Sequence, residues 1–219
     1  MKNKNLEIVI DIDDTLWGLN KRICEKRGIK ENLLRHFSVY DNSLLTREEK
    51  DMMIHDYKDV NIFKNIDWYD GVEKLLELEK FGASILINSN NFSEEIANQK
   101  LLELKKVLPD IKDTQIQMNI ISDCKKKKIQ EPVFILMDDS PHNIANTDAE
   151  HYILLEKPWN ISRYGFQTLE KITNVHPERL YFVPNFKEGY NLMECLIKDK
   201  LKITEKEDIS DELTFSPYM

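Results

Sequence analysis

Long apolar runs are missing from this sequence, and so is a recognisable targeting segment. No stretch approaches the roughly 20 apolar residues that a membrane-spanning helix needs. The start, MKNKNLEIVI, has neither the apolar stretch nor the small-residue cleavage site of a signal peptide. Both absences predict a soluble protein that acts in the cytoplasm and does not bind membranes.

Cysteine is scarce, and positive charge is in deficit. The three cysteines, Cys24, Cys124 and Cys195, are odd in number and widely spaced, which argues against a disulfide framework or a zinc site. The formal net charge of −8 disfavours nonspecific binding to polymeric nucleic acid. One basic run, KKKK at 125–128, is a local exception of the kind that a small anionic substrate would need.

Short apolar runs that predict buried strands alternate with patterns that predict helices. The predicted strands are 6–12, 83–88, 115–121 and 133–137, with a shorter one at 152–155. Ser93 is placed to cap one of the intervening helices. Strands alternating with helices predict an α/β fold with a Rossmann-like three-layer core, in which helices cover both faces of a parallel sheet.

The interval 17–80 breaks this alternation, because it contains no convincing strand and is far longer than a typical connection. We expect a small helical cap there, inserted after the first strand, with Thr46 and Glu49 forming a capping box. The core would then comprise 1–16 and 81–205, and 206–219 would be a flexible acidic tail. The segment after Pro158 is expected to cover the core or to form a partner interface, such as that of a homodimer.

Acidic side chains follow two of the predicted strands. Asp11 and Asp13 end the first strand, where residues two apart point to the same side, and Asp138 follows the fourth. The carboxyl ends of parallel strands form the usual ligand site of an open sheet, so we expect these carboxylates to meet there. Their mutual repulsion calls for a cation, and oxygen-only ligands favour Mg²⁺.

This arrangement predicts phosphate chemistry. A cation would offset the repulsion between a phosphate and an attacking carboxylate, so Asp11 could act as a nucleophile and form an aspartyl-phosphate. Asp13 could protonate the leaving oxygen and later accept a proton from water. The alternative for DIDDT alone is a solvated acidic turn, but DDSPHN after a second strand makes that alternative much weaker.

Together these residues resemble the motifs of the haloacid dehalogenase superfamily. DIDDT matches its first motif, DxDxT, at Asp11, Asp13 and Thr15. Dehalogenases of the superfamily lack an acid at the position of Asp13, so the resemblance implies phosphoryl transfer. The second motif, a hydroxyl residue closing a strand, is matched by Ser89, and we expect Ser89 and Asn90 to bind phosphate.

The remaining motifs are a lysine and an acid pair. The resemblance implies Lys128 as the phosphate-binding lysine because it lies ten positions before Asp138, with Lys125 as the second choice. Asp138 would bind Mg²⁺ with Asp11 and Asp13. The resemblance assigns Thr15, Asp139 and Asn143 to orienting the site through hydrogen bonds.

A narrower resemblance concerns the substrate. FILMDDSPHNI followed by LLEKPWN resembles the 5'(3')-deoxyribonucleotidase family, which also has a small cap between the first two motifs. The resemblance implies a nucleoside monophosphate as substrate, and the aromatic residues Phe63, Trp68 and Tyr69 are candidates for stacking on its base. Simple packing of the cap is the alternative role for those three.

Two departures leave other functions open. The nucleotidase family commonly has Gly where Asp14 stands, and a Thr-Ser pair where this chain reads NSNN around Ser89. Trp17 is similar to a residue in capless phosphatases of the superfamily, some of which act on proteins. The alternatives are therefore a phosphatase for another small phosphometabolite or a phosphoprotein, and a phosphate-binding module without turnover.

Overall fold

A parallel sheet forms the centre of the protein. The computed structural model describes residues 6–121, 133–161 and 177–214, with side chains from 178 to 202 in the last range. Within these ranges the sheet has six strands in the order β3-β2-β1-β4-β5-β6. They are β1 (Leu6–Ile10), β2 (Ala83–Asn91), β3 (Ile116–Ile120), β4 (Val133–Asp138), β5 (Ala149–Leu155) and β6 (Leu180–Val183).

Helices follow or connect these strands, as the α/β pattern predicts. The α-helices are α1 (Leu19–Arg27), α2 (Arg47–Tyr57), α3 (Glu94–Val107), α4 (Pro141–Ala145) and α5 (Phe186–Thr214). Shorter 3₁₀ segments are Glu31–Leu33, Val39–Asp41, Val60–Phe63, Val72–Phe81, Asp113–Gln115 and Pro177–Arg179. None of the described helices is both long and apolar enough to cross a membrane.

The central strand β1 is buried on both faces. Ile8 and Ile10 belong to the larger apolar cluster, whereas Val9, which points the other way, belongs to a second cluster. Ile8 aligns with Ile85 of β2 and with Ile135 of β4. A strand covered on both faces needs a nearly continuous apolar sequence, and LEIVI provides it. The predicted α/β fold with a parallel sheet and an inserted helical segment is confirmed.

The insert after β1 is built mainly around α1 and α2. Thr46 and Glu49 form the expected capping box, with Thr46 Oγ1 accepting from the Glu49 N–H and Glu49 Oε2 accepting from the Thr46 N–H. The buried carboxylate of Asp56 joins the two helices. It accepts from Lys26 Nζ (2.7 Å) and from Arg27 Nε (2.5 Å) and Nη2 (2.7 Å).

Two segments at the predicted boundaries bear on the domain division. The segment Val72–Phe81, which was assigned to the cap, contacts β2 and α5, so it packs on the sheet. Helix α5 continues to Thr214 and therefore includes the first part of 206–219, for which a flexible tail was predicted. Ser93 caps α3 as predicted, through a hydrogen bond from the Ile96 N–H (3.3 Å). Strand β6 was not predicted.

Candidate active site

Three buried carboxylates meet at the carboxyl edge of the sheet. Asp11 follows β1, Asp138 ends β4 and Asp139 comes next, and each offers an oxygen that lies within 4.8 Å of the others. They meet because β1 and β4 are parallel neighbours, and the N–H of Asp11 donates to the carbonyl of Met137 (3.0 Å). The predicted meeting of Asp11 and Asp138 at one sheet edge is thus found in the structure.

Asp13 lies beside this cluster with different partners. Its Oδ1 accepts from Trp17 Nε1 (3.1 Å), and its Oδ2 accepts from Lys100 Nζ. The Asp13 carboxylate is therefore not one of the three clustered acids, and its predicted metal binding stays a prediction. Asp139 takes that place in the carboxylate cluster. The Asp13 carboxylate is instead occupied by hydrogen bonds from a buried ammonium group and an indole N–H.

Lys100 is a site residue that the sequence reading missed. It lies on α3 with its side chain only 2% exposed, and Nζ contacts Asp13, Ser89 Oγ (3.3 Å) and the ring of Phe63 (4.8 Å to the centroid). A lysine is almost never fully buried unless it is paired. The available signal was its place four residues after Ile96 and four before Leu104, on the apolar face of α3. The predicted Lys125 and Lys128 lie outside the described residues.

Ser89 lies in β2 and is fully buried. Its hydroxyl accepts from Lys100, while its carbonyl accepts from the side-chain amides of Asn91 (3.2 Å) and Asn119 (3.3 Å). Asn90 lines the adjoining cavity. Side-chain amides thus hold the strand end around Ser89 through hydrogen bonds.

The acid pair after β4 is held by polar side chains. Asn143 Nδ2 donates to both oxygens of Asp138 (3.0 and 2.9 Å), and the Ser140 N–H donates to Oδ1 (2.8 Å). Asp139 accepts from the indole N–H of Trp159 (2.9 Å). The orienting role predicted for Asn143 agrees with these contacts. The PWN segment at 158–160 also contributes to the site, because Trp159 hydrogen-bonds to one carboxylate oxygen of Asp139.

Clustering of the acids has an electrostatic cost. Burial raises the pKa of Asp139 well above its usual value, and the charges of Asp138, Asp14 and Asp11 raise this pKa further. Repulsion of this kind falls when one group is protonated or when a cation binds. The buried hydroxyl of Ser140 lines the same cavity and has no hydrogen-bond partner in the part of the chain that the structure describes. Oxygen ligands and a spare hydroxyl fit a hydrated Mg²⁺ ion.

Asp14 adopts a backbone conformation that most residues other than Gly avoid. Its φ of 58° lies in the left-handed region, where Gly is the usual residue and Asp is tolerated. Asn20 donates to Asp14 from its backbone N–H (3.0 Å) and from its side chain (2.7 Å). Burial raises the pKa of Asp14 to about 7, although Lys157 and the Asn20 N–H favour the charged form.

Thr15 is fully buried directly after this turn. Its N–H donates to the carbonyl of Ile12 (3.3 Å), and its hydroxyl has no partner among the described residues. The predicted orienting hydrogen bond from the Thr15 side chain is therefore not formed within that part of the chain. Thr15 helps to close the turn that presents Asp13 and Asp14.

A cavity of about 640 Å³ opens above the acids. Its polar part includes Asp11, Asp13 and Asp139, and its apolar part comes mainly from the insert and from the residues after β2. Its aromatic lining residues are Phe37, Tyr40, Tyr57, Phe92 and His142.

The aromatic residues predicted for base stacking are not among those that line this cavity. Phe63 is buried against Trp17, with ring centroids 5.8 Å apart. Trp68 pairs through its backbone with Trp17, and the Tyr69 hydroxyl accepts from Lys157 Nζ (2.8 Å). Packing of the insert, which was the alternative, describes these contacts better.

Comparison with known proteins gives a structural likeness only. The sequence matches no family model and no curated protein. A solved structure named "Putative beta-phosphoglucomutase" from Bacteroides vulgatus aligns over 89% of this chain and 92% of its own, with a TM-score of 0.50 and 14% identity. The two proteins share a fold. At this identity the likeness says nothing about substrate.

Two further solved structures align at lower scores. A beta-phosphoglucomutase from Clostridium difficile covers 90% of this chain and 99% of its own, with a TM-score of 0.46 and 16% identity. A dehalogenase covers 88% and 98%, with a TM-score of 0.48 and 13% identity.

Proposed function

We propose that this chain is a Mg²⁺-dependent phosphomonoester hydrolase that acts through an aspartyl-phosphate on Asp11, and that its substrate is a nucleoside monophosphate. The observation that carries the proposal is the meeting of Asp11 with Asp138 and Asp139 at one sheet edge, beside the Asp13–Lys100 pair. A nucleophile, a proton carrier and a fixed positive charge are thereby adjacent.

Asp11 would attack the phosphorus atom through a carboxylate oxygen. A bond forms between that oxygen and phosphorus, and the bond from phosphorus to the ester oxygen breaks. Asp13, which must carry a proton when the substrate is bound, gives that proton to the departing oxygen, so the leaving group departs as an alcohol. Asp13 then takes a proton from water as the water attacks the aspartyl-phosphate, which regenerates Asp11 and releases phosphate.

Lys100 and Ser89 would hold the transferring phosphate. Lys100 contacts both Asp13 and Ser89, so a phosphate bound there would face a fixed ammonium group and a hydroxyl in a buried setting. Such preorganised groups contribute most where water is excluded. Asn90 lines the same cavity and offers a further polar contact.

Asp11, Asp138 and Asp139 would hold Mg²⁺, and Asn143 and Trp159 keep two of these carboxylates oriented. When bound, the ion offsets the repulsion between an anionic phosphate and an anionic nucleophile.

Two features support a nucleotide as substrate. DDSPHN and PWN resemble the 5'(3')-deoxyribonucleotidase motifs, and the structure gives both segments contacts with the acid pair. The cavity above the acids is far larger than a phosphate group requires and has aromatic lining residues. A sugar phosphate is the rival suggested by the name of the protein that shares this fold.

The test is hydrolysis of a substrate panel with and without Mg²⁺. The panel contains nucleoside monophosphates, β-glucose 1-phosphate and a phosphopeptide, each assayed with Mg²⁺ and with EDTA. Asp11→Asn should abolish turnover without changing the thermal unfolding temperature, whereas Asp110→Asn, at an exposed aspartate, should leave turnover unchanged. Full activity of Asp11→Asn would exclude the mechanism. Equal rates on all substrates would exclude the nucleotide preference.

A further inference from the structure

The cavity above the acids has an apolar rim that hydrolysis of phosphate does not explain. Phe37, Tyr40 and Phe92 line it with exposures of 48%, 60% and 46%. Single exposed apolar side chains are ordinary on protein surfaces. Exposed rings gathered around one concave site, which also contains the acids, are typical of a ligand-binding region.

Phe37 and Tyr40 come from one loop of the insert, and a single buried side chain shapes that loop. Asn42 is fully buried and forms four hydrogen bonds to loop backbone. Its Oδ1 accepts from the N–H groups of Arg35 and His36, and its Nδ2 donates to the carbonyls of His36 (3.0 Å) and Ser38 (2.9 Å). We call residues 35–42 the Asn42 loop.

Asn42 forms hydrogen bonds to the backbone of both chain neighbours of Phe37, which are His36 and Ser38. Val39–Asp41 then forms a 3₁₀ turn that includes Tyr40. The Phe37 ring meets the His142 ring of α4 edge to face, with centroids 6.1 Å apart. The loop therefore reaches the segment that contains the acid pair. The loop backbone that carries both rings is held by hydrogen bonds before any ligand arrives, which lowers the entropy cost of binding.

We infer that the Asn42 loop is the recognition element for the organic part of the substrate, and that Phe37 and Tyr40, with Phe92, stack on a planar aromatic group joined to the phosphate. The inference rests on the proposed phosphatase function and specifies its leaving group. Aromatic rings bind one another through their faces and edges, so three rings at one cavity suit a planar aromatic group. Asn42 is a positioning residue, which acts only through the loop.

The experiment compares thymidine 5'-monophosphate with glycerol 2-phosphate, which has no ring, in the presence of Mg²⁺. The double variant Phe37→Leu/Tyr40→Leu keeps apolar volume and removes the planar faces. We expect its ratio of kcat/KM for thymidine 5'-monophosphate over glycerol 2-phosphate to fall at least about tenfold, because base stacking on aromatic side chains has an effect of this order. Leu44→Ala, at an exposed leucine that is not among the cavity-lining residues, should leave the ratio unchanged.

Asn42→Ala tests the positioning role. We expect a higher KM for thymidine 5'-monophosphate with nearly unchanged kcat, because the acids are intact and only the loop is released. A purely structural role would instead lower the unfolding temperature and reduce the active fraction, so that kcat falls while KM stays constant. Thermal unfolding of each variant separates these cases, and the Phe37/Tyr40 variant remains decisive where Asn42→Ala does not fold.

A binding measurement distinguishes failure of this inference from failure of the proposed function. Calorimetric titration of Asp11→Asn with thymidine 5'-monophosphate needs no turnover, and adding the Phe37→Leu/Tyr40→Leu changes should weaken binding about tenfold. If the wild type hydrolyses neither ester, the phosphatase proposal fails while this arm still tests the loop. An unchanged substrate ratio together with unchanged affinity would overturn the inference.

Discussion

Replacing Lys100 by Met removes one charge from the candidate active site and keeps most of the side-chain volume. The ammonium group contacts Asp13 and Ser89, and the whole Lys100 side chain is only 2% exposed. Met fills irregular apolar space well, so the packing against Phe63 should survive. The variant therefore isolates the role of the charge.

The magnitude follows from the exposure of the two partners. Breaking a buried ion pair costs about 3–5 kcal/mol when the remaining charge stays buried. The Asp13 side chain is 22% exposed and can be hydrated, so we expect a loss of about 2 kcal/mol in the free energy of unfolding. Native domains have about 5–15 kcal/mol, so the variant should remain folded at 25 °C.

The fall in kcat/KM should be larger than any fall in the folded fraction could explain. Removing one preorganised electrostatic group from an active site reduces kcat by about 10²–10³. We expect Lys100→Met to lose at least about 100-fold in kcat/KM, measured on the best substrate of the panel with Mg²⁺. Urea unfolding followed by circular dichroism measures the stability of the same preparation.

Lys106→Met is the matched control, because Lys106 lies on the same helix, is exposed and pairs with Glu103 (2.6 Å) away from the acids. It should retain kcat/KM within about twofold. A folded Lys100→Met variant with kcat/KM within about threefold of the wild type would refute the assignment of Lys100 to phosphate binding.

Two further predictions concern stability. The pKa of Asp14 is raised from 3.8 to about 7, so between these values the folded state holds a proton that the unfolded state has released, and stability should fall as pH rises. Asp14→Asn removes this titration. Its free energy of unfolding relative to the wild type, measured by urea unfolding with EDTA, should therefore rise from pH 4 to pH 8 by up to about 4 kcal/mol, at about 1.36 kcal/mol per pKa unit. A difference independent of pH would contradict the raised pKa. Thr46→Ala removes the hydrogen bond from the Glu49 N–H and should cost about 1 kcal/mol in the free energy of unfolding, while an unchanged urea midpoint would show that the cap contributes nothing.

The strand-end acids were predictable because they depend on topology alone. An apolar run that stops at Asp11 and another that stops at Asp138 must end at the same sheet edge if the strands are parallel. The same reasoning placed Ser89 just past the second strand, whereas the structure has it inside β2, which continues to Asn91. These inferences needed no knowledge of side-chain packing.

The residues that the sequence did not reveal depend on tertiary packing. A lysine in a helix is usually solvated, so Lys100 became informative only when the structure showed its buried ammonium group in contact with Asp13. The aromatic residues of the insert could not be divided into buried and exposed sets by pattern, since Phe63 and Phe37 both lie in short, irregular segments. Strand β6 is short and half-exposed, which leaves little periodicity to read.

The strand order also bears on how the chain is made. Strands β1, β2 and β3 are all complete by residue 120, whereas β4, which pairs with the other side of β1, begins at residue 133. A growing chain leaving the ribosome would therefore present the apolar β1 as an open edge until β4 is synthesised. Open apolar edges invite pairing with other chains. Of the three clustered acids only Asp11 is present during this interval, so a truncated chain that ends before β4 would have the proposed nucleophile without Asp138 and Asp139.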